Sequence, residues 1–227
     1  MKAMILAAGR GERMRPLTDS TPKPLLMAGS RYLIEYHLLN LAKAGFKDVV
    51  INVAWLGEKI INCIGNGEKY NLNIMYSNEG DQALETGGGI YNALPLLGNE
   101  PFLVVNGDVW TDYPFEKLYQ FPLKDKAHLV LVNNPEHHPQ GDFLLSENRL
   151  IDTSDDLSIE RYTFSGMGVY SAAFFKGHHH EKYPLAPMIK QFISENKISG
   201  ELYSGNWMDI GTVQRLDQLS RVLNKDT

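Results

Sequence analysis

Ala3-Met4-Ile5-Leu6-Ala7-Ala8-Gly9-Arg10-Gly11-Glu12-Arg13-Met14-Arg15-Pro16-Leu17-Thr18 opens the chain after two residues, and its reading decides the fold. The first six residues are small or apolar without alternation, which is how a strand buried on both faces reads. Glycines follow at once, so the strand ends in a turn whose backbone N–H groups can approach an anion closely. Arg10, Arg13 and Arg15 add cationic donors, and Lys23 adds another a little further on. In a parallel sheet such a loop lies beyond the carboxyl end of its strand, where α/β folds keep their ligands.

Working outward, the first half of the chain alternates. Tyr32–Ala44 carries Leu33, Ile34, Leu38 and Leu41 at helical spacing and is closed by Gly45. Val49–Ala54 reads as a second strand, Trp55–Ile64 as a second helix and Leu72–Tyr76 as a third strand. Ile90–Leu97 continues a helix begun near Gly87, and Phe102–Val105 is a fourth strand. Strand–helix alternation predicts an α/β fold with a doubly wound, mostly parallel sheet. Past Asp108 the regularity loosens. Ala127–Val132, Asp142–Leu145, Leu150–Asp152 and Thr163–Ser171 read as strands, Pro184–Ser194 and Thr212–Leu223 as helices. With no linker, repeat or low-complexity tract, a single domain over 1–227 with a mixed second half is expected.

The 227 residues are 43% hydrophobic and 22% charged, ample for one core. A net charge of -5 leaves no basic stripe, which argues against nucleic acid and anionic membranes as partners. The one cysteine, Cys63, forbids an intrachain disulfide and a multi-cysteine zinc site, and it reads as core. No stretch approaches the ~20 apolar residues of a membrane helix. The N-terminal apolar run is shorter than the ~7–15 residues of a signal-peptide core, so a cytoplasmic protein is expected. No exposed apolar stripe stands out, and a monomer is favoured.

Gly9-x-Gly11 alone signals only a turn. A dinucleotide fingerprint fails because Met14 stands where its third glycine belongs and Pro16 interrupts the helix that should follow; no Gly-Lys-Ser/Thr of a Walker loop is present. The longer pattern is Leu6-Ala7-Ala8-Gly9-x-Gly11-x-Arg13-Met14-x-Pro16-Leu17-Thr18, followed by Pro22-Lys23-Pro24-Leu25-Leu26. It resembles the signature of the sugar-1-phosphate nucleotidyltransferases. The resemblance implies a Rossmann-like nucleotide-diphospho-sugar transferase fold whose loop wraps a nucleoside triphosphate. Leu6, Ala8 and Gly9 would line that site, Gly11, Glu12 and Arg13 would meet the phosphates, and Lys23 would neutralise the transferred α-phosphate.

Val104-Val105-Asn106-Gly107-Asp108 puts an aspartate just beyond a buried strand, and Asn206-Trp207-Met208-Asp209-Ile210-Gly211-Thr212 carries a second. By residue type alone Asp108 could be a turn Asx motif and Asp209 a helix cap, although Gly211 and Thr212 could cap that helix themselves. The resemblance turns both toward metal ligands, with Mg²⁺ as the cofactor that offsets charge on the phosphates. No Ser-His-Asp, Cys-His or paired-Glu arrangement is evident. The reaction needs none, because a sugar phosphate oxygen is already ionised at neutral pH.

For the base, the resemblance points to the backbone of Leu84-Glu85-Thr86-Gly87-Gly88-Gly89, which by composition is a flexible turn, with Thr86 and Gly87 in contact. Tyr76 and Glu79 would line the same edge, and the inserted Asp81-Gln82 blurs the contacts. For the acceptor, Asn106, Asp142, Ser165, Gly166, Asn206 and Asp209 are candidates. A lysine common before the Ser-Gly segment is missing from Ser158-Ile159-Glu160-Arg161-Tyr162, which leaves Arg161 as a stand-in. His137-His138 and His178-His179-His180 lie in polar loops and read as solvated. Tyr32, Tyr36, Phe115 and Phe192 read as core.

Within the family the chain is similar along most of its length to a uridylyltransferase branch of bacterial cell-wall recycling. The similarity runs through the opening stretch, Ala54-Trp55-Leu56-Gly57, Leu84–Ile90, Val105–Tyr113 and Thr163–Gly166, with Glu12 and Glu85 as branch residues. It implies UTP and a sugar 1-phosphate as substrates, residues 1–110 binding the nucleotide and 111–227 the sugar phosphate. No appended acyltransferase or β-helix domain is expected. Two alternatives stay open: a guanylyltransferase for mannose or heptose 1-phosphate, and a silent regulatory subunit that binds a nucleotide sugar. Intact Arg13, Lys23, Asp108 and Asp209 argue against silence.

Overall fold

In the computed structural model, which describes residues 1–80, 82–151 and 160–224, the opening apolar run is β1 (Lys2–Leu6). It is followed by α1 (Leu17–Ser20), β2 (Met27–Ala28), β3 (Arg31–Tyr32), α2 (Leu33–Lys43), β4 (Asp48–Val53), α3 (Gly57–Ile64), β5 (Asn73–Asn78), α4 (Glu85–Leu97) and β6 (Phe102–Asn106). The second half runs β7 (Val109–Thr111), β8 (Ala127–Val132), β9 (Phe143–Ser146), β10 (Arg149–Ile151), β11 (Arg161–Tyr170), α5 (Ala186–Ser194), β12 (Ile198–Tyr203), β13 (Trp207–Asp209) and α6 (Val213–Leu223). Among the described residues no helix is long and apolar enough to cross a membrane.

A nine-stranded sheet takes the order β5-β4-β1-β6-β11-β8-β12-β10-β9. The first four strands are mutually parallel, as the alternation requires, with Ala3 opposite Val49 and Leu103. β11 then enters antiparallel between β6 and β8 and joins the two halves of the chain into one sheet. Period-2 alternation divides β1 between two cores. Ala3 and Ile5 face α2 and α3 through Ile34, Leu38, Leu41 and Ile60. Met4 faces α4 and α5 through Ile90, Ala93, Met188 and Ile189. A third cluster joins Met14 of the opening loop to Leu33, Ile210, Leu216 and Leu219, so α6 supports that loop from below.

Three departures from the sequence reading matter for the site. The triple glycine, a turn by composition, lies inside α4: the helix expected to begin near Gly87 begins at Glu85 and takes in Gly87, Gly88 and Gly89. β12 has no counterpart in the sequence reading, because Gly200 and Glu201 break its apolar pattern; Gly200 is required where a Cβ would collide with Leu150 and stand 3.0 Å from the Leu129 oxygen. A two-stranded ribbon of β7 and β13, too short to show a period, brings residues 109 and 209 opposite each other. Asp81, Asp152, Ser158 and Ile159 lie outside the described residues.

Candidate active site

One cavity of about 430 Å³ opens beyond the carboxyl ends of β1 and β6. Leu6, Ala8, Gly9, Gly11, Glu12, Arg13 and Lys23 line one side of it; Glu79, Thr86, Asn106 and Asp108 complete the predicted residues it brings together. Ala7, Pro24, Asn52, Ala83, Glu85, Gly107 and Gly211 also face it.

The loop owes its shape to specific anchors. Gly11 has φ +66°, and a Cβ there would stand 2.9 Å from Thr18 Cγ2, so glycine is required twice over. The Thr18 hydroxyl donates to the Gly11 carbonyl at 2.8 Å. Met14, fully buried, plugs the loop into the cluster under α6, a burial worth about 2 kcal/mol. Arg10 lies over the Trp55 ring at 4.5 Å, and the Trp55 indole N–H donates to the Thr18 carbonyl at 3.2 Å.

Lys23 and Asp108 form an ion pair, Nζ to Oδ2 2.6 Å, with the lysine side chain only 10% exposed. Asp108 follows Gly107, whose N–H donates to the Leu6 carbonyl at 2.9 Å and whose Cβ, if present, would press on that same oxygen. Behind this strand end sits His37 of α2, which is 1% exposed. Burial drives its pKa down to about 4, and Nε2 has no partner among the described residues. The ring therefore stays neutral and acts as a polar-edged wedge, edge-on to Phe115.

The β7–β13 ribbon carries both aspartates to one end. The N–H of Ile210 donates to the Asp108 carbonyl at 2.6 Å, just past the pairing of Asp209 with Val109. Asp112 clasps the other end: it accepts from the Asn206 backbone at 2.9 Å and side chain at 2.7 Å, and from the Tyr203 hydroxyl. Thr212 caps α6 by accepting from the Arg215 N–H at 3.3 Å, which leaves Asp209 free of capping duty. Asp209 Oδ1 instead meets Arg215 Nη1 and His137 Nε2, each at 2.9 Å.

On the opposite wall Asn52 ties three elements together. Its oxygen accepts from the Ala7 N–H at 2.7 Å and its amide donates to Glu79 Oε1 at 2.6 Å. The Leu84 N–H meets Glu79 Oε2 at 2.7 Å, yet burial outweighs both bonds and raises the Glu79 pKa. Glu85 holds φ +61°. The glycines that follow make protein contacts, and Gly87 is not among the residues lining the cavity. The Gly87 and Gly88 N–H groups both donate to the Tyr183 carbonyl, at 3.0 and 3.1 Å, and a Cβ at Gly88 would collide with the Glu181 oxygen. Gly89 lies against Glu79 and Asn52.

Other predicted residues are placed elsewhere. The Tyr76 hydroxyl donates to the Gly65 carbonyl at 2.6 Å, away from the cavity, whereas Glu79, one residue past the end of β5, lines it. Asp142 is already engaged, Oδ1 with His138 Nε2 at 3.1 Å and Oδ2 with the Phe164 N–H at 2.8 Å. Ser165 is fully buried at the irregularity in β11, its hydroxyl donating to the Val130 carbonyl at 2.6 Å. Gly166, φ +80°, backs against the Asn106 side chain and so positions a cavity residue without facing the cavity. Asn206 belongs to the Asp112 clasp. Arg161 donates to the Asp142 carbonyl at 3.2 Å. His137 and His138 lie in a solvent-facing loop, as read, and each also meets a carboxylate.

Sequence reasoning missed Asn52, His37, Asp112, His137 and Arg215. Asn52 was findable, being the lone polar residue in the middle of an apolar strand; Arg215 carries no local signal at all. Among the described residues no three His, Cys, Asp or Glu side chains cluster as a metal cage. Asp108 and Asp209 offer two hard carboxylate donors, a set that suits a cation completing its shell with phosphate oxygens and water.

The sequence profile of the family described as nucleotidyl transferase matches residues 2–143. The N-acetylmuramate alpha-1-phosphate uridylyltransferase of Neisseria meningitidis serogroup B is 50% identical over 226 residues, covering 96% of this chain and 96% of its own length. The protein of the same name from Caulobacter vibrioides is 31% identical over 223 residues, 93% of this chain and 92% of its own. Among solved structures, a Bacillus anthracis chain assigned as a glucose-1-phosphate thymidylyltransferase superposes with a TM-score of 0.85 over 98% of this chain and 94% of that one. At 19% identity, that likeness speaks for the fold alone.

Proposed function

The chain belongs to the nucleotidyl transferase family, and from that premise we propose that it transfers UMP from UTP to N-acetylmuramate 1-phosphate, giving UDP-N-acetylmuramate and pyrophosphate. The observation that carries the reading is the joining, in one cavity, of the arginine-bearing loop, Lys23 and Asp108 with the wall formed by Glu79, Ala83, Glu85 and Thr86. The first three suit a triphosphate, and the wall, opposite them, suits a base. The 50% identity to a uridylyltransferase across 96% of both chains supports the choice of UTP and of the muramate acceptor over a guanylyltransferase.

The triphosphate lies along the loop, with Arg13 and Lys23 as its counter-charges. An ionised oxygen of the sugar 1-phosphate attacks the α-phosphorus, the bond to pyrophosphate breaks, and the electron pair leaves with pyrophosphate. No side chain has to take up a proton. The positioning residues are Asn106, held by Gly166, and the ribbon that fixes Asp108 beside Ile210. Asp108 and Asp209 would hold Mg²⁺, which when bound supplies neutralising charge to the phosphates. Residues 1–110 serve the nucleotide and 111–227 the acceptor, and the enzyme works as a cytoplasmic monomer. Pyrophosphate release measured across the four nucleoside triphosphates and a panel of sugar 1-phosphates tests this. UTP with N-acetylmuramate 1-phosphate should be the fastest pair, and a preference for GTP with mannose 1-phosphate overturns it.

A further inference from the structure

The assignment above leaves one cationic group next to the chemistry without a task. Arg215, in the first turn of α6, has a side chain only 16% exposed. Its Nη1 lies 2.9 Å from Asp209 Oδ1 and 2.6 Å from His137 Nε2. Its Nε is buried with no partner, and Nη2 makes no hydrogen bond among the described residues. That is more donor capacity than one shared carboxylate oxygen uses, and an unmet buried donor in a native fold calls for a reason.

Gly211 shows where the spare donors stand. It lines the cavity. A Cβ there would collide with Arg215 Nη2 and stand 3.0 Å from Arg13 Nη2, so two guanidinium groups flank the same glycine at the cavity wall. Asp209 Oδ2 is 3.2 Å from that same point, a single negative charge beside two positive ones. Both Nη2 groups reach the cavity wall at this one glycine, and two guanidinium groups converging there suit the oxygens of a phosphate. Lys23 already pairs with Asp108 on the nucleotide side, whereas Arg215 approaches from the Asp209 side, through α6 of the second half.

We propose that Arg215, with His137 beside it, receives the 1-phosphate of the sugar acceptor and sets its attacking oxygen against the α-phosphorus, Arg13 standing between the two substrates. This rests on the nucleotidyltransferase reading but on no particular sugar, since every acceptor considered carries a 1-phosphate. The step balances as before: one oxygen–phosphorus bond forms, the bond to pyrophosphate breaks, and no proton or external reagent is needed.

The test uses the full chain with Arg215→Gln, Arg215→Lys and His137→Gln. Steady-state rates are measured with the sugar phosphate varied at saturating UTP, and UTP binding is measured by calorimetry without acceptor. Arg215→Gln should raise the KM for the sugar 1-phosphate about 30-fold, the loss expected for one charge-assisted contact, with Arg215→Lys recovering part of it and His137→Gln losing less. UTP affinity should change less than about 3-fold, an outcome within the spread of indirect effects. An unchanged acceptor KM overturns the proposal. So does a parallel loss of UTP affinity, because Arg215 would then serve only to hold Asp209. A loss seen with N-acetylmuramate 1-phosphate but not with N-acetylglucosamine 1-phosphate assigns Arg215 to the lactyl carboxylate and overturns it as well. If the unsubstituted enzyme prefers another sugar, the muramate reading fails while this experiment runs unchanged on that sugar. Thermal melts of each variant confirm that the comparison is between folded proteins, and the lysine variant keeps the test decisive if the glutamine variant unfolds.

Discussion

Replacing Gly88 by alanine sets two well-understood effects against each other. Gly88 lies within α4, and in an unconstrained helix alanine is favoured over glycine by about 1 kcal/mol. On propensity alone the substitution stabilises. The structure reverses the sign. A Cβ at Gly88 would collide with the backbone oxygen of Glu181 and stand 3.1 Å from Leu84 Cβ. The obstacle is a main-chain carbonyl in a segment held by three hydrogen bonds, from the Gly87 and Gly88 N–H groups to Tyr183 and from Tyr183 back to Leu84. It cannot swing aside as a flexible side chain would. Overpacking of this kind costs about 1–3 kcal/mol, and moving the 181–183 segment strains those bonds at about 1 kcal/mol each. The net expectation is a destabilisation of about 2 kcal/mol, a fall in melting temperature of about 4–8 °C for a chain of this size. Thr86 and Glu85, which line the cavity one turn earlier, should shift with the helix start and raise the KM for UTP. Thermal unfolding followed by circular dichroism, with UTP-dependent pyrophosphate release, measures both. A melting temperature at or above that of the parent protein refutes the steric reasoning.

Asp108→Asn should lower kcat/KM by about 10³-fold or more with an unchanged circular dichroism spectrum; undiminished turnover removes that carboxylate from the chemistry. The His37 pKa, lowered by burial to about 4 from 6.5, makes the folded state bind fewer protons than the unfolded chain below pH 6.5. Its contribution to stability is therefore complete above the unfolded value and is lost as pH falls toward 4, about 3 kcal/mol in all. His37→Leu should flatten that part of the stability–pH curve, and an identical slope in the variant counts against the assignment. Tyr76→Phe should leave the KM for UTP unchanged and cost about 1 kcal/mol of stability through the lost bond to Gly65; a rise in KM would return Tyr76 to the base site.

The parallel half of the sheet was legible because Ala3–Ala8, Val49–Ala54 and Phe102–Val105 are, Asn52 apart, apolar on both faces, as a strand buried on both faces requires. The glycine- and arginine-bearing loop that lines the cavity was legible as a motif with spacing. The insertion of β11 between β6 and β8 was not, since Thr163–Ser171 reads the same whichever neighbour it takes. Contacts made by distant segments were equally hidden. Gly87–Gly89 read as a turn because composition cannot announce that Tyr183 and Glu181 lie across the helix. The contacts of His137, a solvent-facing residue as read, were hidden because its partners stand at Asp209 and Arg215. Tyr76 and Glu79 were grouped by proximity in sequence, yet Tyr76 turns to Gly65 and Glu79, past the end of β5, turns to the cavity.

The place of β11 bears on how the protein is made. The strand that ends at Asn106, just before Asp108, borders β1 on one side and residues 167–170 on the other. During synthesis β6 therefore emerges some sixty residues before the segment that covers its second edge. For that interval a nascent chain displays a bare row of N–H and C=O groups beside Phe102, Val104 and Val105, the kind of template that recruits stray strands. Ribosome-bound chains in which β6 has left the exit tunnel and β11 has not should accordingly be far more prone to chaperone capture than chains in which both have emerged.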